Sequence, residues 1–87
     1  MRLRGRVQGV GFRYALRDLA DAAGACGWVR NVRDGRVEAE IQSDSETVRR
    51  LVGWCRSGPP GAWVQHLELE WLAPEAECHG FGIERSH

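Results

Sequence analysis

The sequence has no excess of either charge, because 12 basic residues balance 12 acidic residues. Proteins that bind nucleic acids or anionic membranes usually carry a basic excess, so we expect neither partner. The chain also lacks an apolar run long enough to span a membrane. Arg2 and Arg4 interrupt any apolar signal region after Met1, which favours a cytoplasmic protein.

Cysteine is scarce and has no metal-binding or redox spacing. The three cysteines are Cys26, Cys55 and Cys78. An odd number cannot all pair within one chain, and scattered thiols favour a reducing cytosol. We therefore expect free thiols that act as small apolar side chains. No ligand spacing recurs among the histidines either, which are His66, His79 and His87. We predict no metal and no cofactor.

The chain has 87 residues, which predicts a single domain over residues 1–87. A domain of this size buries only about 60% of the surface that its unfolded chain exposes. One core between two layers can form, but a deep cleft between two lobes cannot. We therefore expect any active site to be shallow and to lie on an edge or a loop.

The period of the apolar residues predicts the first elements. Leu3 and Val7 alternate with arginines, which predicts a strand over about residues 1–7. A glycine-rich stretch follows, and apolar residues at helical spacing then predict a helix over about residues 12–23. Gly24 stands where glycine is favoured after a helix.

The middle of the chain predicts a hairpin and a second helix. Residues 28–32 are rich in aromatic and β-branched residues, and residues 37–41 alternate in polarity, so both are predicted strands. Asp34-Gly35 between them predicts a type I′ turn. Ser43–Glu46 resembles a capping box that opens a helix.

Gly58-Pro59-Pro60 is expected to end that helix, because proline cannot continue its hydrogen bonds. Alternation over residues 67–71 predicts another strand, and Phe81 with Ile83 predicts a short final one. The order βαββαβ, with one extra short strand, predicts an α+β sandwich with two helices on one face of a mainly antiparallel sheet. The first and third strands would lie side by side in its centre.

The segment from Gly5 to Arg13 runs from a strand end, through glycines, into the start of a helix. Helix starts carry unpaired N–H groups and partial positive charge. Glycines let successive N–H groups turn toward one anion, and Arg13 could grip two phosphate oxygens. The alternative is a plain strand-to-helix turn with a surface arginine. The segment is not a Walker loop, and Tyr14 replaces the third glycine of GxGxxG.

Asn31 is the second candidate, because asparagine is depleted in strands. Its amide could hold a water molecule without repelling an anionic substrate. The alternative is a polar residue tolerated at a strand end, just before a turn.

These two segments, Gly5 to Arg13 and Gly27-Trp28-Val29-Arg30-Asn31, together resemble the acylphosphatase family. The resemblance extends over nearly the whole chain. It implies the ferredoxin-like fold and the hydrolysis of acyl phosphates to a carboxylate and inorganic phosphate. It places the family's loop arginine on Arg13 and its water-orienting asparagine on Asn31. It assigns phosphate binding to Gln8, Gly9, Val10, Gly11, Phe12 and Arg13.

We expect a monomer that acts on a small-molecule acyl phosphate, with no metal and no covalent intermediate. Two alternatives remain open on the same fold. One is a non-catalytic or regulatory domain, like the acylphosphatase-like domains at the start of hydrogenase-maturation carbamoyltransferases. The other is an RNA-binding module with aromatic residues on its central strands, although the RRM signature is missing.

Overall fold

The computed structural model describes residues 1–8, 11–32, 35–72 and 77–84. Its elements are β1 (Arg2–Gln8), α1 (Phe12–Ala22), β2 (Cys26–Val32), β3 (Arg36–Gln42), α2 (Ser45–Cys55), β4 (Trp63–Glu70) and β5 (Phe81–Ile83). The strands form one sheet in the order β4-β1-β3-β2-β5. Neighbouring strands are antiparallel except for β2 and β5. The ferredoxin-like fold with an extra short strand is confirmed, and β1 and β3 are adjacent as predicted.

The core lies between the sheet and the two helices. Leu3 of β1 and Ile41 of β3 are fully buried because alternate strand residues face the same side. Leu16 of α1 and Cys55 of α2 cover them from the helical layer and are also fully buried. The period of two residues predicted for the strands therefore corresponds to the sheet layer, and the period of 3.6 residues predicted for the helices corresponds to the helical layer.

The hairpin between β2 and β3 differs from the predicted two-residue turn. Val32 pairs with Arg36, so three residues separate the paired positions. Gly35 has a φ of 75°, which suits the left-handed position that three-residue hairpin loops need. Of the predicted Asp34-Gly35 turn, Asp34 lies outside the described residues. The Asp-Gly pair predicted the place of the hairpin correctly, but its length was wrong.

The start of α2 also differs from the prediction. The helix begins at Ser45 with Asp44 as its N-cap residue, one position later than a box opened by Ser43 requires. Asp44 makes no side-chain capping bond to the helix. The capping-box interpretation was therefore wrong, although a helix does begin within the segment it marked.

The expectation of three free cysteines is corrected by a disulfide between Cys26 and Cys78. The two Cα atoms are 5.8 Å apart, and the bond joins the start of β2 to the segment before β5. Only Cys55 is a free thiol, and it is buried as predicted. The sequence spacing of the cysteines gives no sign of this disulfide, because Cys26 and Cys78 are 52 positions apart along the chain. The parallel pairing of β5 with β2 brings them together.

Candidate functional site

The start of α1 exposes main-chain donors. Gly11 precedes the helix with a φ of 84°, a conformation that glycine adopts without strain. The first helical hydrogen bond runs from the N–H of Ala15 to the carbonyl of Gly11, at 2.9 Å. The N–H groups of residues 12–14 consequently have no partner in the helix, and no side chain caps them. Together with the helix dipole they favour an anion at this position.

Arg13 lies in this first turn, and its half-buried side chain lines a cavity of about 320 Å³. Its guanidinium carbon is 5.9 Å from the centroid of the Tyr14 ring. Within the described part of the chain, Arg13 forms no ion pair. Its planar fork is therefore not neutralised by a carboxylate there and can bind an oxyanion.

Asn31 comes from β2 and lines the same cavity as Arg13. It lies two residues after Val29, which is fully buried, so both side chains are directed to the helical side of the sheet. Asn31 is half-buried and pairs across the sheet with Val37. The cavity that Arg13 and Asn31 share is completed by Val7, Gly11, Phe12, Tyr14 and Val37. Two side chains that are 18 positions apart in sequence thus reach one concave surface.

The other predicted phosphate-binding residues have different positions. Gln8 ends β1, where its backbone pairs with Trp63 of β4. Gly9 and Val10 lie outside the described residues. Phe12 is buried, and its ring packs on Trp54 of α2, so its main-chain N–H is the group it offers to a ligand.

Tyr14 is a cavity residue that sequence reasoning did not propose. Its side chain is 54% exposed at the cavity, and its ring also contacts Arg17, whose guanidinium carbon is 5.1 Å from the ring centroid. Residues three apart are neighbours on a helix surface, so the spacing of Tyr14 and Arg17 was an available signal. The ring, which contacts both arginines, forms an aromatic border of the cavity.

Among residues 1–8, 11–32, 35–72 and 77–84, no three histidine, cysteine, aspartate or glutamate residues are grouped closely enough to hold a metal ion. The helices in those ranges are too short or too polar to cross a membrane.

Comparison with known proteins gives a consistent result. A family model described as Acylphosphatase matches residues 1–83. A protein named Acylphosphatase from Thermococcus kodakarensis is 51% identical over 83 residues, which cover 95% of this chain and 90% of that protein. Another from Trichormus variabilis is 49% identical over 81 residues, covering 93% and 79%. The crystal structure of acylphosphatase from Bacillus subtilis matches with a TM-score of 0.86 and 34% identity, covering 95% of this chain and 94% of that one.

Proposed function

Because the chain belongs to the acylphosphatase family, we propose that it hydrolyses acyl phosphates to a carboxylate and inorganic phosphate. The observation that carries the proposal is the cavity shared by Arg13 and Asn31 beside the unpaired N–H groups of α1. A cation, a set of amide donors and a neutral amide are the groups that such a reaction needs.

The phosphoryl group would bind to the N–H groups of residues 8–13 and to the guanidinium of Arg13. Phosphoryl transfer depends mainly on positioning and on stabilising the charge of the equatorial oxygens. Arg13 suits this task because its side chain starts in the first turn of α1, beside the unpaired N–H groups of residues 12–14. Preorganised donors stabilise that charge without having to reorient during the reaction.

Asn31 would hold the attacking water in line with the bond that breaks. Its carboxamide can both donate and accept hydrogen bonds, and it carries no charge that would repel the substrate. The leaving group is a carboxylate, which is stable as an anion and needs no proton from a general acid. The proposal therefore includes no metal and no covalent phosphoenzyme, since water is the nucleophile and Arg13 supplies the positive charge.

The test is phosphate release from benzoyl phosphate in the presence of EDTA. We expect activity in the unaltered protein, a loss of at least about 100-fold in kcat/KM for Arg13→Ala, and an unchanged thermal transition. Arg49→Ala is the matched control, because Arg49 is an exposed arginine on α2. Full activity of Arg13→Ala would overturn the assignment of Arg13. No release by the unaltered protein would favour the non-catalytic domain instead.

The RNA-binding alternative has less support. An RNA-binding sheet of this fold stacks bases on aromatic residues of its central strands. Here the face of β1 and β3 that points away from the helices carries only charged residues and one glutamine at the positions whose side chains are described, which are Arg2, Arg4, Arg6, Arg36, Glu38, Glu40 and Gln42. Those two strands thus offer no stacking platform.

We also propose that the protein is a cytoplasmic monomer. Acyl phosphates hydrolyse readily in water, so an enzyme for them is most useful where they are formed. The disulfide between Cys26 and Cys78 is more typical of oxidising compartments. Thiol counting by mass spectrometry, on protein whose free thiols are blocked with iodoacetamide in intact cells, tests the location. Three blocked thiols would support a reducing compartment, and a single blocked thiol would contradict the cytoplasmic location. Analytical ultracentrifugation tests the monomer.

A further inference from the structure

The open face of the sheet, which is turned away from both helices, carries an ordered array of charges. These side chains alternate along their strands with the buried residues of the core. The strand registers arrange them in three rows across the sheet: His66–Arg6–Arg36–Val32, Glu68–Arg4–Glu38–Arg30 and Glu70–Arg2–Glu40–Trp28.

In the second and third rows every arginine has a carboxylate partner. Arg4 Nε donates to Glu38 at 2.7 Å, and Arg30 Nε donates to the same carboxylate at 3.1 Å. In the third row, Arg2 Nε donates to Glu40 at 3.0 Å. Opposite charges on facing strands stabilise a sheet, so these two rows are compensated within the protein.

The first row is different, because Arg6 lies directly opposite Arg36. Their Cβ atoms are about 5 Å apart in such a pair, and like charges in this position destabilise a sheet. Within the described part of the chain neither arginine forms an ion pair. His66, on the other side of Arg6, adds no negative charge. Counting only the described residues, this end of the open face therefore carries two guanidinium groups without a carboxylate partner.

The same two arginines line a cavity of about 480 Å³. That volume lies in the range of small-molecule sites, which is roughly 300–1,000 Å³. Val32 and Gln65 also line it and offer an apolar and a polar contact. Arg4, Glu38 and Glu68 line it as well, but Glu38 is bound by Arg4 and Arg30, and Glu68 accepts a hydrogen bond from His66 Nε2 at 3.2 Å.

We propose that this cavity is a second anion site, separate from the Arg13 cavity, and that it binds the phosphate dianion of a small phosphorylated molecule. Two guanidinium groups match a dianion, whereas a carboxylate would neutralise only one of them. Arginine forks bind phosphate oxygens in pairs. Arg6 and Arg36 point to the face opposite the one that carries Asn31, and of the lining residues the two cavities share only Val37.

The test uses calorimetry on the Arg13→Ala variant, so that the proposed catalytic site does not compete for the ligand. Phenyl phosphate is the probe, and benzoate is the matched ligand with the same ring and one negative charge. We expect one molar equivalent of phenyl phosphate to bind at least about tenfold more tightly than benzoate. Amide chemical-shift changes should centre on Arg6, Val32 and Arg36.

The double variant Arg6→Gln/Arg36→Gln should weaken phenyl phosphate binding by at least about tenfold. Arg49→Gln/Arg56→Gln is the control, because both arginines are exposed on or next to α2 and the net charge changes equally. Three results would each overturn the proposal: no binding up to about 10 mM phenyl phosphate, equal affinity for benzoate, or equal weakening by the control pair. None of them bears on whether the protein hydrolyses acyl phosphates.

Discussion

The ring of Phe12 packs on the ring of Trp54, with the two centroids 5.3 Å apart and the ring planes tilted by 31°. Phe12 is the first residue of α1, and Trp54 lies in the last turn of α2. This contact attaches the start of α1 to the core, one residue before Arg13. The position of the guanidinium therefore depends on packing between the two helices as well as on the glycine-rich loop.

Trp54→Ala is expected to lower both stability and activity. Loss of a large aromatic ring from such a contact costs about 3 kcal/mol of unfolding free energy. A shift at the start of α1 would also lower kcat/KM, because catalysis is sensitive to displacements of about 1 Å. Trp71→Ala is the matched control, since that ring is 65% exposed and its loss should cost under about 0.5 kcal/mol. Urea unfolding and benzoyl phosphate kinetics measure both effects, and equal costs for the two variants would contradict the packing argument.

Asn31→Ala should lower kcat by at least about 100-fold and change KM little, because the proposed role of Asn31 is to hold the water and not the phosphate. Asn31→Asp keeps the shape of the side chain but adds a negative charge. That variant should also raise KM, since the carboxylate would repel the substrate at close range. Steady-state kinetics on both variants separate the two effects. A rise in KM alone for Asn31→Ala would show that the amide binds the phosphate instead.

The disulfide between Cys26 and Cys78 should contribute strongly to stability. It closes a loop of 52 positions, and the chain-entropy model gives about 4 kcal/mol for such a loop. We expect Cys26→Ser/Cys78→Ser to lower Tm by more than about 10 °C. Reduction of the unaltered protein should have the same effect and should not change the Tm of the double variant.

Thiol titration provides an independent check on the cysteines. Burial raises the pKa of the Cys55 thiol to about 12, so the folded protein should not react with Ellman's reagent at pH 8. Unfolding without reductant should expose one thiol, and unfolding with reductant should expose three. Three thiols without reductant would show that the disulfide is absent.

Glu38 should make stability depend on pH in the acid range. Burial raises the pKa of its carboxyl, but hydrogen bonds from Arg30 and Arg4 outweigh burial and leave the pKa below its usual value. The carboxylate therefore stabilises the fold above its unfolded pKa of about 4.3, and this contribution is lost as the pH falls through the folded value. Glu38→Gln should be less stable by about 1–2 kcal/mol at pH 7.

That difference should shrink as the pH falls below about 4. Urea unfolding from pH 7 to pH 3 measures it. Glu70→Gln, an exposed carboxylate on the edge strand β4, is the control and should change stability by under about 0.5 kcal/mol. A difference between Glu38→Gln and the unaltered protein that stays constant over this range would contradict the ionic origin of the effect.

Gly27 is expected to tolerate no side chain. Its φ is 139°, and an added Cβ would lie 1.9 Å from the carbonyl oxygen of Glu40. Gly27→Ala should therefore cost more than about 2 kcal/mol, because the backbone of β2 and β3 would have to separate. Gly53→Ala is the control, since an added Cβ would meet nothing within 4 Å in α2 and alanine favours a helix. Equal stability of the two variants would contradict this account.

Sequence reasoning predicted the elements well where one face of each element is buried. Leu3, Val37 and Ile41 show the period of a strand, and Leu16 with Ala20 shows the period of a helix, because local periodicity follows from burial. It failed at the capping box and at the length of the hairpin loop. Those features depend on which residue forms hydrogen bonds with the unpaired backbone groups at the end of an element. Several neighbouring residues could form them, so the sequence does not fix the exact position.

The sequence by itself determined the order of the elements, since local pattern carries that information, and its resemblance to the acylphosphatase family indicated Arg13 and Asn31 as candidate groups. Only the tertiary structure decided which distant side chains meet: Arg13 with Asn31 in one cavity, Cys26 with Cys78 in a disulfide, and Arg6 opposite Arg36. The reason is physical, because strand register and sheet order arise from the packing of the whole core and no local segment contains them.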